Sequence, residues 1–181
     1  MDATVVFDHV LVPWDRVFLH GDIALLNRLY KESRMREITA HQTNARLEVK
    51  LGFIYALLVE LARAAGLDQH PGTMEMLGEA AVRVEVIRST TRSAELQATV
   101  DADNGVLYPD LPALQAGRAL GPIYYPEMIN MIRKISGGGL IQLPVSLAEF
   151  DSPIGEALEK SLAGAGISGR DKSALMKLAW D

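Results

Sequence analysis

The chain contains no cysteine. That removes disulfides, thiol nucleophiles and thiolate metal sites together. Aromatic residues make up only 6% of the 181 positions. No apolar run approaches the ~18 residues that a membrane-spanning helix needs. Lysine and arginine are dispersed and outnumbered, with a net charge of −5. This is not the footprint of a nucleic-acid binder. The opening MDATVVFDHV lacks the basic and apolar regions of a signal peptide, and a cytoplasmic protein is expected. The four histidines (His9, His20, His41, His70) show no HExxH spacing, so capping or surface roles are expected for them rather than metal ligation.

Hydrophobic residues make up 49% and charged residues 23%, the profile of one globular domain with a real core. From Asp22 onward the pattern is helical. A short element over Asp22–Lys31 is followed by a long helix from Met35 to Ala65, closed by Gly66. A third helix is expected over Met74–Val100, capped by Thr73, with Leu77, Ala81, Val84, Ile87, Thr91, Ala94 and Ala98 on one stripe. Surface pairs are expected for Glu79 with Arg83 and for Arg92 with Glu95. Asp101 to Pro112 reads as a loop. Its DADNG core has the wrong glycine position for a calcium site and lacks the closing Glu. A fourth helical region over Leu114–Ile135 should be kinked or broken at Pro122 and Pro126. Ser152-Pro153 and Ser168 with Asp171 read as the starts of two further helices.

Ahead of the helices, Val5–Phe7 and Val10–Val12 flank an Asp8-His9 break and end at Pro13, the pattern of a short β segment. A lone strand leaves its backbone groups unpaired. The final helical pattern runs through Trp180 with no stop signal. Both ends therefore read as those of an excised or split piece. The expected fold is all-α, an antiparallel four-helix bundle with a short N-terminal β segment. Residues 1–20 form a junction and residues 21–181 the helical-bundle domain.

These residues carry a resemblance. The F-D-x-V-x-V-P run at Phe7–Pro13, leading into long helices, resembles the junction between the β-barrel and the C-terminal helical domain of the acyl-CoA dehydrogenase superfamily. Trp14–Phe18 is similar to the 4-hydroxyphenylacetate 3-monooxygenase oxygenase-component branch. So are AHQTNARLEVKLGF (Ala40–Phe53), Tyr124-Tyr125-Pro126 with Met131-Ile132, the Gly137–Leu140 run with Pro144, and Lys177–Asp181. The resemblance implies an enzyme that takes reduced FAD from a separate flavin reductase and hydroxylates a phenol ortho to its hydroxyl. It implies that the N-terminal and β-barrel portion carries most of the substrate site, and that this stretch alone is inactive and binds FAD weakly or not at all. A homodimer or homotetramer is expected from the apolar surface left over.

Within that frame the candidate flavin-binding residues are Gln42, Arg46, Gly137, Gly138 and Gly139. His41, Asn44 and Glu48 share one face of the long helix; Gln42, Arg46 and Lys50 share another. That patch is either a solvated surface or a cleft lining in which arginine holds a phosphate or carboxylate bidentately. The glycine run lacks the context of a Rossmann or P-loop fingerprint. It terminates a helix, and in the superfamily a Gly-Gly loop at this place approaches the adenosine-diphosphate part of FAD. Where the dehydrogenases place a Gln before that loop, this chain has Arg133 and Lys134. The Tyr124-Tyr125 pair and the seven methionines are expected to pack the core. No catalytic residue is assigned. Three other classes remain: a non-enzymatic helical scaffold, an acyl-CoA dehydrogenase-type piece, for which no Glu is placed as the α-proton base, and a 4-hydroxybutyryl-CoA dehydratase-type piece, which would need cluster-binding cysteines.

Overall fold

The computed structural model describes residues 3–180. Met1, Asp2 and Asp181, the last of which closes the Lys177–Asp181 motif, lie outside the described residues. Residues 3–36 and 37–180 form two compact units.

In the first unit, Val5–Val12 carries no strand. The β pattern is present in the sequence, but a strand needs a partner for its backbone groups. His9 at φ 50° makes the break expected at Asp8-His9. Trp14–Arg16 forms a 3₁₀ turn. Helix α1 (Ile23–Glu32) is capped by Asp22, whose carboxylate accepts from the Leu25 N–H at 2.8 Å. No residue of this unit is buried; Phe7 and Phe18 are 79% and 97% exposed.

The second unit is built on three long helices: α2 (Met35–Ala64), α3 (Pro71–Leu96) and α4 (Leu111–Ser136). Two shorter ones follow, α5 (Gly155–Leu162) and α6 (Gly169–Trp180). Cross-helix pairs fix the directions. His41 and Glu48 of α2 meet Glu95 and Arg88 of α3, so those helices are antiparallel. Arg83 of α3 meets Glu127 of α4 while Thr90 lies against Gly117, antiparallel again. Helix α6 starts beside the end of α2, where the Ala165 N–H donates to the Ala64 carbonyl at 3.0 Å, and heads back along it. The result is the expected antiparallel bundle, with α6 as a short fourth member.

The core is a column of Leu51, Ile54, Leu58, Leu61, Ile87, Met128, Ile132 and their neighbours. Gly66, at φ 68°, closes α2 as expected, with the Leu67 N–H reaching back to the Ala62 carbonyl. Ser168 starts α6, its hydroxyl accepting from the Asp171 N–H at 3.0 Å.

Several boundaries differ from the sequence reading. Helix α3 starts at Pro71, and Thr73 is buried in its first turn instead of capping it; proline at the first helical position needs no donor partner. Ala80 instead of Ala81 lies on the buried stripe, and Ala98 lies past the helix end. Glu95 is drawn to His41 at 2.8 Å, across the helix pair, where Arg92 was the expected partner. Thr99–Val100 (β1) pairs with Leu107–Tyr108 (β2) in a small antiparallel hairpin inside the expected loop. Asp101 makes its turn by accepting from the N–H groups of Asp103 and Asn104. Ser152-Pro153 does not open α5; Ser152 closes a 3₁₀ turn and Ile154 stands at the cap position.

Helix α4 runs unbroken through Pro122 and Pro126 from its Asp110 cap. Both prolines are exposed. The carbonyls they leave without helical partners therefore lie toward water, where the loss is small.

Helices α2 and α4 approach at two glycines. A Cβ on Gly117 would stand 2.7 Å from both the Asn44 amide nitrogen and the Thr90 hydroxyl, and one on Gly121 would stand 2.8 Å from the Leu47 methyl. Asn44 is fully buried there, its Nδ2 donating to the Leu114 carbonyl at 3.0 Å. Gly117→Ala should therefore overpack this crossing and destabilise the bundle by about 1–3 kcal/mol, read as a lower urea midpoint.

Candidate functional site

The α2 polar patch divides between two environments. His41, Asn44 and Glu48 face α3 and α4 and are used up in packing: His41 on Glu95, Asn44 on Leu114, Glu48 on Arg88 at 3.1 Å. The Glu48 hydrogen bond, with Glu85 beside it, raises the Arg88 guanidinium further above its ordinary value. These three residues build the fold.

The other face opens onto a groove of about 1120 Å³ between α2 and α4. From α2 it is lined by Arg46, Leu47, Val49, Lys50 and Phe53; from α4 by Arg118, Gly121, Pro122 and Tyr125. No carboxylate is among the lining residues. Among the described residues none of Arg46, Lys50 and Arg118 makes a salt bridge. Lys50 Nζ instead lies 4.4 Å from the centre of the Tyr125 ring, a cation–π contact. Three cations without acidic partners over an apolar floor suit a ligand that is anionic along one edge and flat or apolar elsewhere. Lys50, Phe53 and Tyr125 also line the adjoining cavity of about 680 Å³, whose far wall is Gly137, Arg133, Ile141 and the last turn of α6.

Arg46 and Gly137 thus lie on neighbouring parts of one trough, as the sequence reading grouped them. Gln42 is exposed on α2 but is not a lining residue, and neither are Gly138 and Gly139. Gly137 closes α4 at φ 52°, ψ −131°, its N–H donating to the Arg133 carbonyl. Gly139 packs on Met176, with its Cβ position 3.0 Å from the methyl carbon. Tyr124 packs against the core, and Arg83 stacks above its ring at 5.7 Å. Tyr125 also packs against the core, as expected, and lines the groove as well. Arg118 is missed in the sequence and Tyr125 is read there only as core, although Arg118, Pro122 and Tyr125 stand at i, i+4, i+7. The two prolines hid that helical face by suggesting a break.

A bundle of long helices closed by a short fourth helix is the acyl-CoA dehydrogenase-like fold. The chain belongs to the family described as 4-hydroxyphenylacetate 3-hydroxylase, C terminal, whose sequence model matches residues 26–181. It is 37% identical over 181 residues to the 4-hydroxyphenylacetate 3-monooxygenase oxygenase component of Thermus thermophilus, covering 100% of this chain and 37% of that protein. The oxygenase component of Escherichia coli is 34% identical, with 99% of this chain and 35% of that protein covered. A crystal structure of a 4-hydroxyphenylacetate 3-monooxygenase oxygenase component complexed with FAD and 4-hydroxyphenylacetate superposes with a TM-score of 0.89 at 36% identity, over 97% of this chain and 36% of that one. The chain therefore spans a little over a third of the length of these relatives.

Gly137 and Gly138 should respond differently to substitution. Gly137→Ala places a side chain in a backbone region open essentially to glycine and should cost about 1–3 kcal/mol. Gly138→Ala, whose Cβ would meet only the Gln142 side chain at 3.7 Å, should stay within about 0.5 kcal/mol of wild type in thermal or urea unfolding.

Proposed function

We propose that this chain is the C-terminal helical domain of the oxygenase component of a two-component, FADH2-dependent aromatic monooxygenase, which hydroxylates a 4-hydroxyphenylacetate-type phenol ortho to its hydroxyl. The observation that carries this reading is the 36% identity, along nearly the whole chain, to an oxygenase component solved with FAD and 4-hydroxyphenylacetate. Reduced FAD, delivered by a separate flavin reductase, supplies the electrons that activate oxygen. The part played by this chain is to hold and shield. Arg46, on the exposed rim of the groove, is suited to a phosphate or to a partner subunit. The Gly137–Gly139 turn lets the backbone approach the same ligand, and Gln42 extends the polar edge of α2. The groove fits such a group: it is cationic, partly aromatic and free of carboxylates among its lining residues. That last property also leaves it without a base for abstracting an α-proton, which disfavours an acyl-CoA dehydrogenase reaction.

The β-barrel wall that would enclose the isoalloxazine belongs to the part of the relatives outside the match. The chain by itself should be inactive and bind FAD weakly or not at all. Its setting is the cytoplasm, with the reductase. Among the described residues, no helix is long and apolar enough to cross a membrane.

The decisive experiment reconstitutes the chain with the rest of its oxygenase component and compares FADH2 affinity for wild type, Arg46→Ala and Gly138→Val. A loss in both variants at unchanged melting temperature is expected; wild-type affinity in both would remove Arg46 and the glycine turn from the flavin site. Reconstituted protein that hydroxylates no phenol when supplied with FADH2 and oxygen would overturn the reading and favour a scaffold role.

Assembly gives a separate test. Val49, Phe53, Val82, Leu96 and Trp180 are each more than half exposed, more apolar surface than a monomer usually leaves to water. Light scattering of the chain at micromolar concentration should give a homodimer or homotetramer, and a clean monomer would contradict it.

A further inference from the structure

The start of α3 and the end of α4 enclose a separate cavity, which shares no lining residue with the α2/α4 groove or its extension. It holds about 580 Å³, within the roughly 300–1000 Å³ of a small-molecule site. Its floor is apolar: Leu67 from the turn after α2, Met76 of α3, and Met131 and Ile135 of α4. Around that floor stand four polar groups that the fold does not use. Pro71 has no N–H, and the N–H groups of Thr73 and Met74 both donate to the His70 carbonyl at 2.9 Å. The Gly72 N–H finds no acceptor among the described residues. The His70 imidazole folds over that glycine, 3.6 Å from where a Cβ would stand, and caps nothing. Thr73 is only 7% exposed and lines the cavity, yet its hydroxyl has no hydrogen-bond partner among the described residues. Lys134, in the last turn of α4, makes no salt bridge among them either.

We propose that this cavity binds a small aromatic monocarboxylate, at a site separate from the flavin groove and independent of the function proposed above. The carboxylate sits at the α3 start, accepts from the Gly72 N–H and the Thr73 hydroxyl, and pairs with Lys134. Three observations select this ligand. The first is the buried hydroxyl: leaving it unbonded carries a desolvation cost that a bound acceptor removes. A free N–H beside it, at the positive end of the α3 dipole, favours an acceptor that is charged. The second is the count of charges. Glu75 and Glu79 line the same cavity, and although Glu79 turns to Arg83 at 3.3 Å, Glu75 has no such partner among the described residues. One negative charge is matched by Lys134, whereas a second one meets Glu75, so a phosphate dianion or a nucleotide is disfavoured. The third is the floor. Two thioethers, Met76 and Met131, offer the polarizable surface that packs well on an aromatic ring. The ligand would bridge the first turns of α3 and the last turns of α4, so its binding adds to the stability of the chain.

The test uses the full chain with isotope-labelled methionine methyl groups, titrated with benzoate and followed by NMR. The Met76 and Met131 signals should shift saturably, while that of Met176, which packs on Gly139, stays in place. Benzamide, the same ring without the charge, should bind about tenfold more weakly. Inorganic phosphate should leave both signals unmoved. Thr73→Val should weaken benzoate by about tenfold and Thr73→Ser should retain it. Lys134→Gln, a change on an exposed residue that leaves the fold intact, should weaken it severalfold, which keeps the test open if Thr73→Val fails to fold. Met76 and Met131 signals that do not respond to benzoate would overturn the inference. So would equal affinity for benzamide, an equal response to phosphate, or wild-type affinity in Lys134→Gln together with Thr73→Val.

Discussion

The register of the bundle depends on one buried polar contact between α2 and α4. Asn44 is fully buried, and its amide donates to the carbonyl of Leu114 where α2 meets α4. Gly117 provides the space, since any side chain there would strike the Asn44 amide and the Thr90 hydroxyl together. A buried amide is costly unless bonded, so sliding α2 by one turn toward the amino end of α4 would both break the bond and bring Asn44 against Ala113. The register it sets places Leu47 on Gly121 and Lys50 on Tyr125. The same register aligns the groove residues of the two helices.

The helical class and the long elements were legible because their periodicity is strong and their ends are marked. Gly66 and Ser168 are chemically explicit stops and starts, and they function as such. The errors arose where two local signals competed. Thr73 looked like a cap, yet Pro71 opens the helix two residues earlier. The prolines of α4 looked like breaks, yet both lie on the wet side of a helix held by Ile132, Met128 and Leu114 within. Val5–Val12 has strand chemistry, but a strand is a property of two segments and only one of them lies in this unit.

The candidate site was half legible. A polar interruption in an apolar helix signalled that α2 meets something other than core, and spacing divided it correctly into two faces. Which face was structural could not be read, because the answer lies on α3 and α4: Glu95, Arg88 and the Leu114 carbonyl claim the His41, Glu48 and Asn44 side. Arg118 and Tyr125 come from a helix some seventy positions later, and only the packing register brings them opposite Arg46 and Lys50. The glycine run likewise looked uniform in sequence, whereas in the fold one glycine bends the chain, one is open and one packs on Met176.

The up-down-up order of the three long helices has an electrostatic consequence. Helices α2 and α4 point the same way, so two macrodipoles reinforce each other and only α3 opposes them along most of the bundle. Their amino ends carry partial positive charge, met locally by Glu37 in the first turn of α2 and by the Asp110 cap of α4. Helix α6 balances the second dipole only beside the carboxyl ends. At the opposite mouth of the groove the partial positive charges of the two amino ends are left to these carboxylates and to the carboxyl end of α3. The short fourth helix thus gives the trough a polarity, over and above its charge.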